Sequence, residues 1–219
     1  MEHPWLRALE LDSRRWAQLR RYAELLRTWS QRLNLVSRRD LDRIWERHVL
    51  HSLSIARRRF GPGDWVLDVG TGGGLPGIPL AIAFPEARFL LLDATAKKVA
   101  AVRAMVRELG LEHVEVRHGR AEGLRERFTH VVSRAVGPLD VLWSWVGPLL
   151  LPASGVELPE RWASGLIALK GPDWAEEAAR LRGVRVEAEP IEAFWPDPLM
   201  AGKFLVHVRP ESEAGPLLA

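Results

Sequence analysis

Four residues at alternate positions, Asp68, Gly70, Gly72 and Gly74, close a short apolar run, Trp65–Val69, and lead into Leu75-Pro76-Gly77-Ile78-Pro79-Leu80. Glycines at this spacing let backbone N–H groups approach a ligand closely. A helix beginning at Pro76 turns its partial positive charge toward the same place. The acid bears on which ligand. A carboxylate two residues before the first glycine repels a phosphate and attracts an ammonium. S-adenosylmethionine (SAM) has an ammonium, a sulfonium and no phosphate, so Asp68, Gly70, Thr71, Gly72, Gly74 and Leu75 are the candidate cofactor contacts. A second reading stays open, because Gly72-x-Gly74-x-x-Gly77 also fits the dinucleotide fingerprint. Its first glycine, however, falls three residues past the strand rather than directly after it.

Asp93 ends a second apolar run nineteen residues after Gly74, close to the separation of about 20 for a ribose-binding carboxylate. That feature serves dehydrogenases and methyltransferases alike. The alternative is a helix cap, a role open to Thr95 as well.

Around these residues strands and helices alternate. The strands are Trp65–Val69, Arg88–Leu92, Val114–Arg117, His130–Ser133 and Leu166–Leu169. The helices lie near Ile78–Phe84, Ala96–Leu109, Leu139–Leu149 and Asp173–Leu181. Two further β-rich runs, Val184–Phe194 and Lys203–Arg209, are joined by a Pro-rich turn with no helix between them, which predicts an antiparallel hairpin. The fold class is therefore α/β: a seven-stranded, mostly parallel, Rossmann-like sheet closed by a C-terminal antiparallel hairpin. Pro152–Ala163 reads as an exposed loop and Glu211–Ala219 as a frayed tail.

Ahead of the sheet stands a helical segment, residues 1–60, with the hinge Gly61-Pro-Gly-Asp64 leading into the second unit, 61–219. Trp16, Leu19, Tyr22, Leu26, Trp29 and Leu33 recur at helical spacing, and Asp12 or Ser13 can cap that helix. A second helix is predicted from Asp40 to Ile55. The tryptophans follow the buried period, which favours a core role over base stacking. Residues 1–60 hold 14 Lys and Arg against 7 acids, while 61–219 hold 17 against 21. A basic segment on a mildly acidic remainder suits a polyanionic partner, or a solvated helical surface. No cysteine is present, which excludes disulfides and thiolate metal sites, and the seven histidines show no metal-ligand spacing. No apolar run reaches the roughly 18 residues of a membrane helix. No signal peptide opens the chain, so a cytoplasmic location without membrane attachment is expected.

Together these features resemble the bacterial small-subunit rRNA (guanine-N7)-methyltransferases, also called the glucose-inhibited division protein B family. The resemblance runs from about Leu33 to Val208. It is carried by Asn34-Leu35, Glu46-Arg47-His48-Val-Leu, the loop from Asp68 to Leu80, Leu92-Asp93, Ser133-Arg134-Ala135 and Leu169-Lys170-Gly171. It implies SAM-dependent methylation at N7 of a guanosine in the 530 loop of 16S rRNA. The implied partner is that RNA or the small ribosomal subunit, with the enzyme a monomer that needs no metal. It also implies that Arg120-Ala121-Glu122 contacts the adenine. Three departures stand out: His51 where members usually carry Asp, no Pro/Arg-rich tail, and a longer Pro152–Ala163 loop.

Guanine N7 carries a lone pair and no proton, so its methylation needs orientation and electrostatics rather than a general base. Arg134 and Lys170 each follow an inferred strand directly, where parallel sheets line their ligand crevice. Either suits the SAM carboxylate, the guanine O6 or a phosphate, and for each a surface ion pair is the alternative. Arg57-Arg58-Arg59 is the candidate RNA-binding triplet. Arg47 and His48 are candidates for the substrate side or for a pairing between the two units. A SAM-dependent methyltransferase of another RNA or of a small molecule, a dinucleotide-dependent oxidoreductase and a bare RNA-binding module are the competing functions.

Overall fold

The computed structural model describes residues 4–152 and 158–211. Seven strands form one sheet: β1 (Trp65–Val69), β2 (Arg88–Asp93), β3 (Val114–His118), β4 (His130–Arg134), β5 (Gly165–Lys170), β6 (Val184–Pro190) and β7 (Phe204–Pro210). Their order is β3-β2-β1-β4-β5-β7-β6. All neighbours are parallel except β5–β7 and β6–β7. The predicted sheet and its closing hairpin are thus present. The chain leaves β1 toward β2 and β3, then returns to place β4 on the other side of β1. That reversal opens a crevice at the carboxyl ends of β1 and β4.

Side chains alternate along each strand and divide the core in two. Val66, Phe89, Leu91, Val132, Ile167 and Leu169 face one cluster, shared with α2 (Ser13–Ser30), α4 (Gly77–Ala83) and α5 (Ala96–Glu108). Leu67, Leu90, Leu92, Val131, Leu166 and Ala168 face the other, covered mainly by α6 (Leu139–Val146). Every residue of α4 is buried, because this short apolar helix lies between the sheet and α2. The stripe on α2 supplies that cover: Leu19, Tyr22, Leu25 and Leu26 are buried, with Trp16 and Trp29 packed alongside. Asp12 caps the helix by accepting from Arg15 N at 2.8 Å. The N-terminal segment therefore shares one continuous core with the sheet. A short first helix, α1 (Pro4–Ala8), was not expected; its Trp5 stacks on Trp195 at 5.2 Å.

The predicted single helix from Asp40 to Ile55 takes another form. A 3-10 helix, Arg38–Arg43, capped by Ser37, leads into a π turn, Trp45–Leu50. One turn of α-helix, α3 (His51–Leu53), and a second 3-10 helix, Ser54–Arg57, follow. The wide π turn spreads successive residues over a narrower arc, so His48, Val49 and Leu50 are buried together. Of the expected exposed loop Pro152–Ala163, residues 153–157 lie outside the described residues. So does the expected frayed tail beyond Glu211.

Candidate active site

The glycine loop folds as its spacing predicts. Gly70, Gly72 and Gly74 have φ of 67°, 58° and 94°, a region that favours glycine. Backbone bonds from Thr71 N to Leu92 O (2.9 Å) and from Gly74 N to Thr71 O (2.8 Å) hold the turn against β2. Asp93 clamps it: one carboxylate oxygen accepts from Gly72 N at 2.9 Å and the other from Thr95 N at 2.8 Å. The same carboxylate thus fixes the loop and the start of α5, and each oxygen keeps a lone pair for a ligand hydroxyl. Thr95, the other candidate cap, makes no side-chain capping bond. Gly119 N donates to the Asp93 carbonyl at 3.0 Å, which brings the turn Arg120-Ala121-Glu122 beside Asp93. In that turn Ala121 is buried while Arg120 and Glu122 are exposed.

Asp68 is fully buried at the end of β1. Its Oδ2 accepts from the Thr71 hydroxyl (2.6 Å) and from Gly77 N (2.9 Å). A Cβ at Gly77 would lie 2.6 Å from that oxygen, so the residue opening α4 must be glycine. Asp68 Oδ1 is buried and finds no hydrogen-bond partner. Burial pushes the Asp68 carboxyl up to about 7, against the pull of its two hydrogen bonds. A buried acid with one oxygen unmatched fits a cationic ligand group such as the SAM ammonium.

Arg134, at the carboxyl end of β4, closes the other side of the crevice. Its guanidinium donates to the His48 carbonyl at 3.3 Å and to His48 Nδ1. His48 Nε2 lies 3.3 Å from Asp40 Oδ2, and Arg47 reaches the other Asp40 oxygen at 3.0 Å. Arg134 thus fixes the neutral tautomer of His48 that donates from Nε2. Burial and the charge of Arg134 hold His48 down at about 4. His51 faces Arg134, Lys203 and His48, and its Nε2 is buried without a partner. Burial and those charges hold it well below the usual histidine range. Arg134 and Lys203 make no ion pair among the described residues.

The sequence-predicted residues divide. Asp68, the glycine loop, Asp93, the Arg120 turn, Arg134, Arg47 and His48 converge on the crevice. Lys170 ends β5 on that side, but its ammonium lies 2.6 Å from Glu177 Oε2 and donates to the Gly137 carbonyl at 2.9 Å. Glu177 also accepts from Leu139 N at 2.8 Å, so this pair anchors the turn after β4. Arg57–Arg59 run away from the crevice. Arg57 pairs with Glu189 at 3.4 Å, Arg58 lies over the Trp162 ring, and Arg59 bridges Arg161 before the amino end of β5. Three crevice residues were not singled out from the sequence for chemistry: Asp40, Lys203 and Tyr22, whose hydroxyl donates to Gly73 O at 2.9 Å. Topology was the available signal for Lys203, since an antiparallel β7 must start on the crevice side.

Residues 15–159 match the model of the family described as rRNA small subunit methyltransferase G, or GidB. The chain belongs to this family. A relative of that name from Cytophaga hutchinsonii is 41% identical over 181 residues, covering 82% of this chain and 85% of the relative. Another from Chlorobaculum tepidum is 51% identical over 161 residues, covering 73% and 70%. Among solved structures, the O-methyltransferase from Bacillus cereus in complex with SAH aligns with a TM-score of 0.54 at 18% identity, covering 86% of this chain and 90% of that one. That likeness shows the fold alone. Family membership sets aside the dinucleotide reading of Gly72–Gly77.

Proposed function

We propose that the chain transfers the methyl group of SAM to N7 of a guanosine in the 16S rRNA of the small ribosomal subunit. The observation that carries this reading is the buried Asp68 carboxylate, with its unmatched Oδ1, set in the same crevice as the Arg134 guanidinium, which bonds His48 and has no acid partner among the described residues. Asp68 suits the cofactor ammonium, the loop N–H groups its amino-acid portion, Asp93 its ribose hydroxyls and the Arg120-Ala121-Glu122 turn its adenine. Bound there, SAM supplies an electrophilic methyl group. Arg134 supplies positive charge toward a guanine O6 or a phosphate, and the His48–Asp40 chain fixes its direction.

The proton chemistry agrees. The imidazoles of His48 and His51 are both depressed, which makes them poor proton acceptors, and N7 has no proton to give. Lys170 acts through Glu177 by holding the turn after Arg134. An rRNA substrate supports a cytoplasmic location for the reaction.

Single-turnover methyl transfer, with product guanosines mapped by mass, tests this reading. At saturating SAM the rate should stay flat from about pH 6 upward. Arg134→Met should lower it on the order of a hundredfold. A rise with a midpoint near 6.5, abolished by His51→Asn, would instead require a target atom that loses a proton.

A further inference from the structure

We infer that the rRNA strand is gripped by an arginine rim formed by Arg27, Arg32, Arg38, Arg39, Arg43 and Arg47, rather than by Arg57–Arg59. This rests on the RNA-methyltransferase reading above and names the surface that delivers the base.

Position is the first argument. α2 begins near the amino end of β3, where Gln18 bonds Leu109 O at 3.0 Å. It ends over the glycine loop, where Tyr22 bonds Gly73 O and a Cβ at Gly73 would meet Leu26 and Leu35. The chain that follows crosses the mouth of the crevice and reaches Arg134 through Asp40 and His48. Arg27, Arg32, Arg38, Arg39, Arg43 and Arg47 are all exposed along this path.

Pairing is the second argument. Several arginines elsewhere are neutralised, Arg21 by Glu24 and Glu108, Arg117 by Glu115 and Glu126, Arg161 by Asp64 and Arg57 by Glu189, and those without an acid are scattered rather than gathered on one path. On the rim, among the described residues, only Arg47 forms an ion pair, with Asp40. The side chains of Arg27, Arg32, Arg38, Arg39 and Arg43 make no ion pair or hydrogen bond among the described residues. Unpaired guanidinium groups beside a crevice that takes a base fit the phosphates flanking a nucleotide turned out of its strand. The triplet is set among Glu160, Glu187 and Glu189, which repel phosphate.

Two charge-reversed proteins separate the surfaces: R38E/R39E/R43E and R57E/R58E/R59E. The measurement is affinity for a 16S rRNA transcript across a salt series, with SAM affinity by calorimetry as the check on the fold. Each lost single-strand phosphate contact lowers the log–log slope by about 0.7, so the rim variant should lose about 2 from its slope. It should keep SAM binding, while the triplet variant keeps the wild-type slope. If the reversed rim disturbs folding, R38Q/R39Q/R43Q carries the same expectation. A flattened slope confined to the triplet variant, or unchanged slopes in both, overturns the inference. So does wild-type affinity for the assembled subunit without salt-dependent affinity for the transcript, which would assign the rim to an acidic protein surface. Failure of the function reading looks different: the wild type would bind the transcript through the rim and leave its guanines unmethylated.

Discussion

Asp68→Asn offers a direct test of the buried carboxylate. The amide oxygen can accept both bonds that Oδ2 now accepts from Thr71 and Gly77, while its NH2 takes the place of the unmatched Oδ1. The fold is kept and the charge is gone. The folded-state pKa of Asp68 is raised from 3.8 to about 7. Between those values the folded protein holds a proton that the unfolded chain has released, so stability falls as pH rises through that window. At about 1.36 kcal/mol per unit, ionising Asp68 in the folded protein without a bound cation costs about 4 kcal/mol above pH 7. Other groups titrate alike in both proteins, so the difference between them isolates this term. Urea unfolding without cofactor should show the variant gaining about 3 kcal/mol on the wild type between about pH 5 and pH 8. The variant should also lose SAM binding. In the wild type, SAM affinity should rise with pH through about 7 as Asp68 ionises. A stability difference that stays constant with pH would mean that Asp68 is already ionised and reached by water at pH 5, and the argument from its burial would fail.

Gly72→Val should abolish SAM binding, since Gly72 has φ of 58° and nothing nearer than Gly70 O at 3.9 Å would block its Cβ from standing in the crevice. Gly110→Val, at φ of 67° with open space around it, should carry a similar backbone cost of about 1–2 kcal/mol and bind SAM normally in the same calorimetry. His207, buried beneath Trp162 and bonded to Ala163 O, is held down to about 3 by burial and by Arg209. The unfolded chain takes up that proton below about 6.5, so stability should fall with pH between 6.5 and 3. His207→Gln should narrow the loss by about 3 kcal/mol between pH 7 and 4 in urea titrations, and equal losses in both proteins would refute the assignment.

The cofactor half of the site was legible because its residues are neighbours in sequence. A strand, a glycine turn and a helix start impose their own spacing, and the parallel sheet puts the next strand's acid, Asp93, alongside. Alternation gave the strand pattern because each face of the sheet is buried against helices. The substrate half was less legible because long-range packing decides it. No local pattern distinguishes a regular helix over Asp40–Ile55 from the 3-10, π and α turns that bring His48 to Arg134. Arg57–Arg59 look like a nucleic-acid motif in one dimension, yet Arg57 is tied to Glu189 on the edge strand and the chain carries Arg59 toward the amino end of β5. Lys170 kept its place but not its freedom, since Glu177, seven residues on, neutralises it. Tyr22 followed the buried period of α2, which concealed the hydroxyl that fastens the helix to the glycine loop.

The layering of α2 over the wholly buried α4 also bears on synthesis. The stripe on α2 emerges first, but its apolar partners lie in α4, and its polar fastenings, Leu109 O and Glu108, come later still. At about 5–20 residues per second, roughly 80 residues must be added before that surface can be covered, an interval of about 4–16 s. During that time the nascent chain presents an amphipathic helix with an uncovered aromatic face, flanked by arginines. This stretch is therefore made before its partners yet is among the last to find its place, and early handling of the chain falls on whatever shields that face until β2 and α5 are complete.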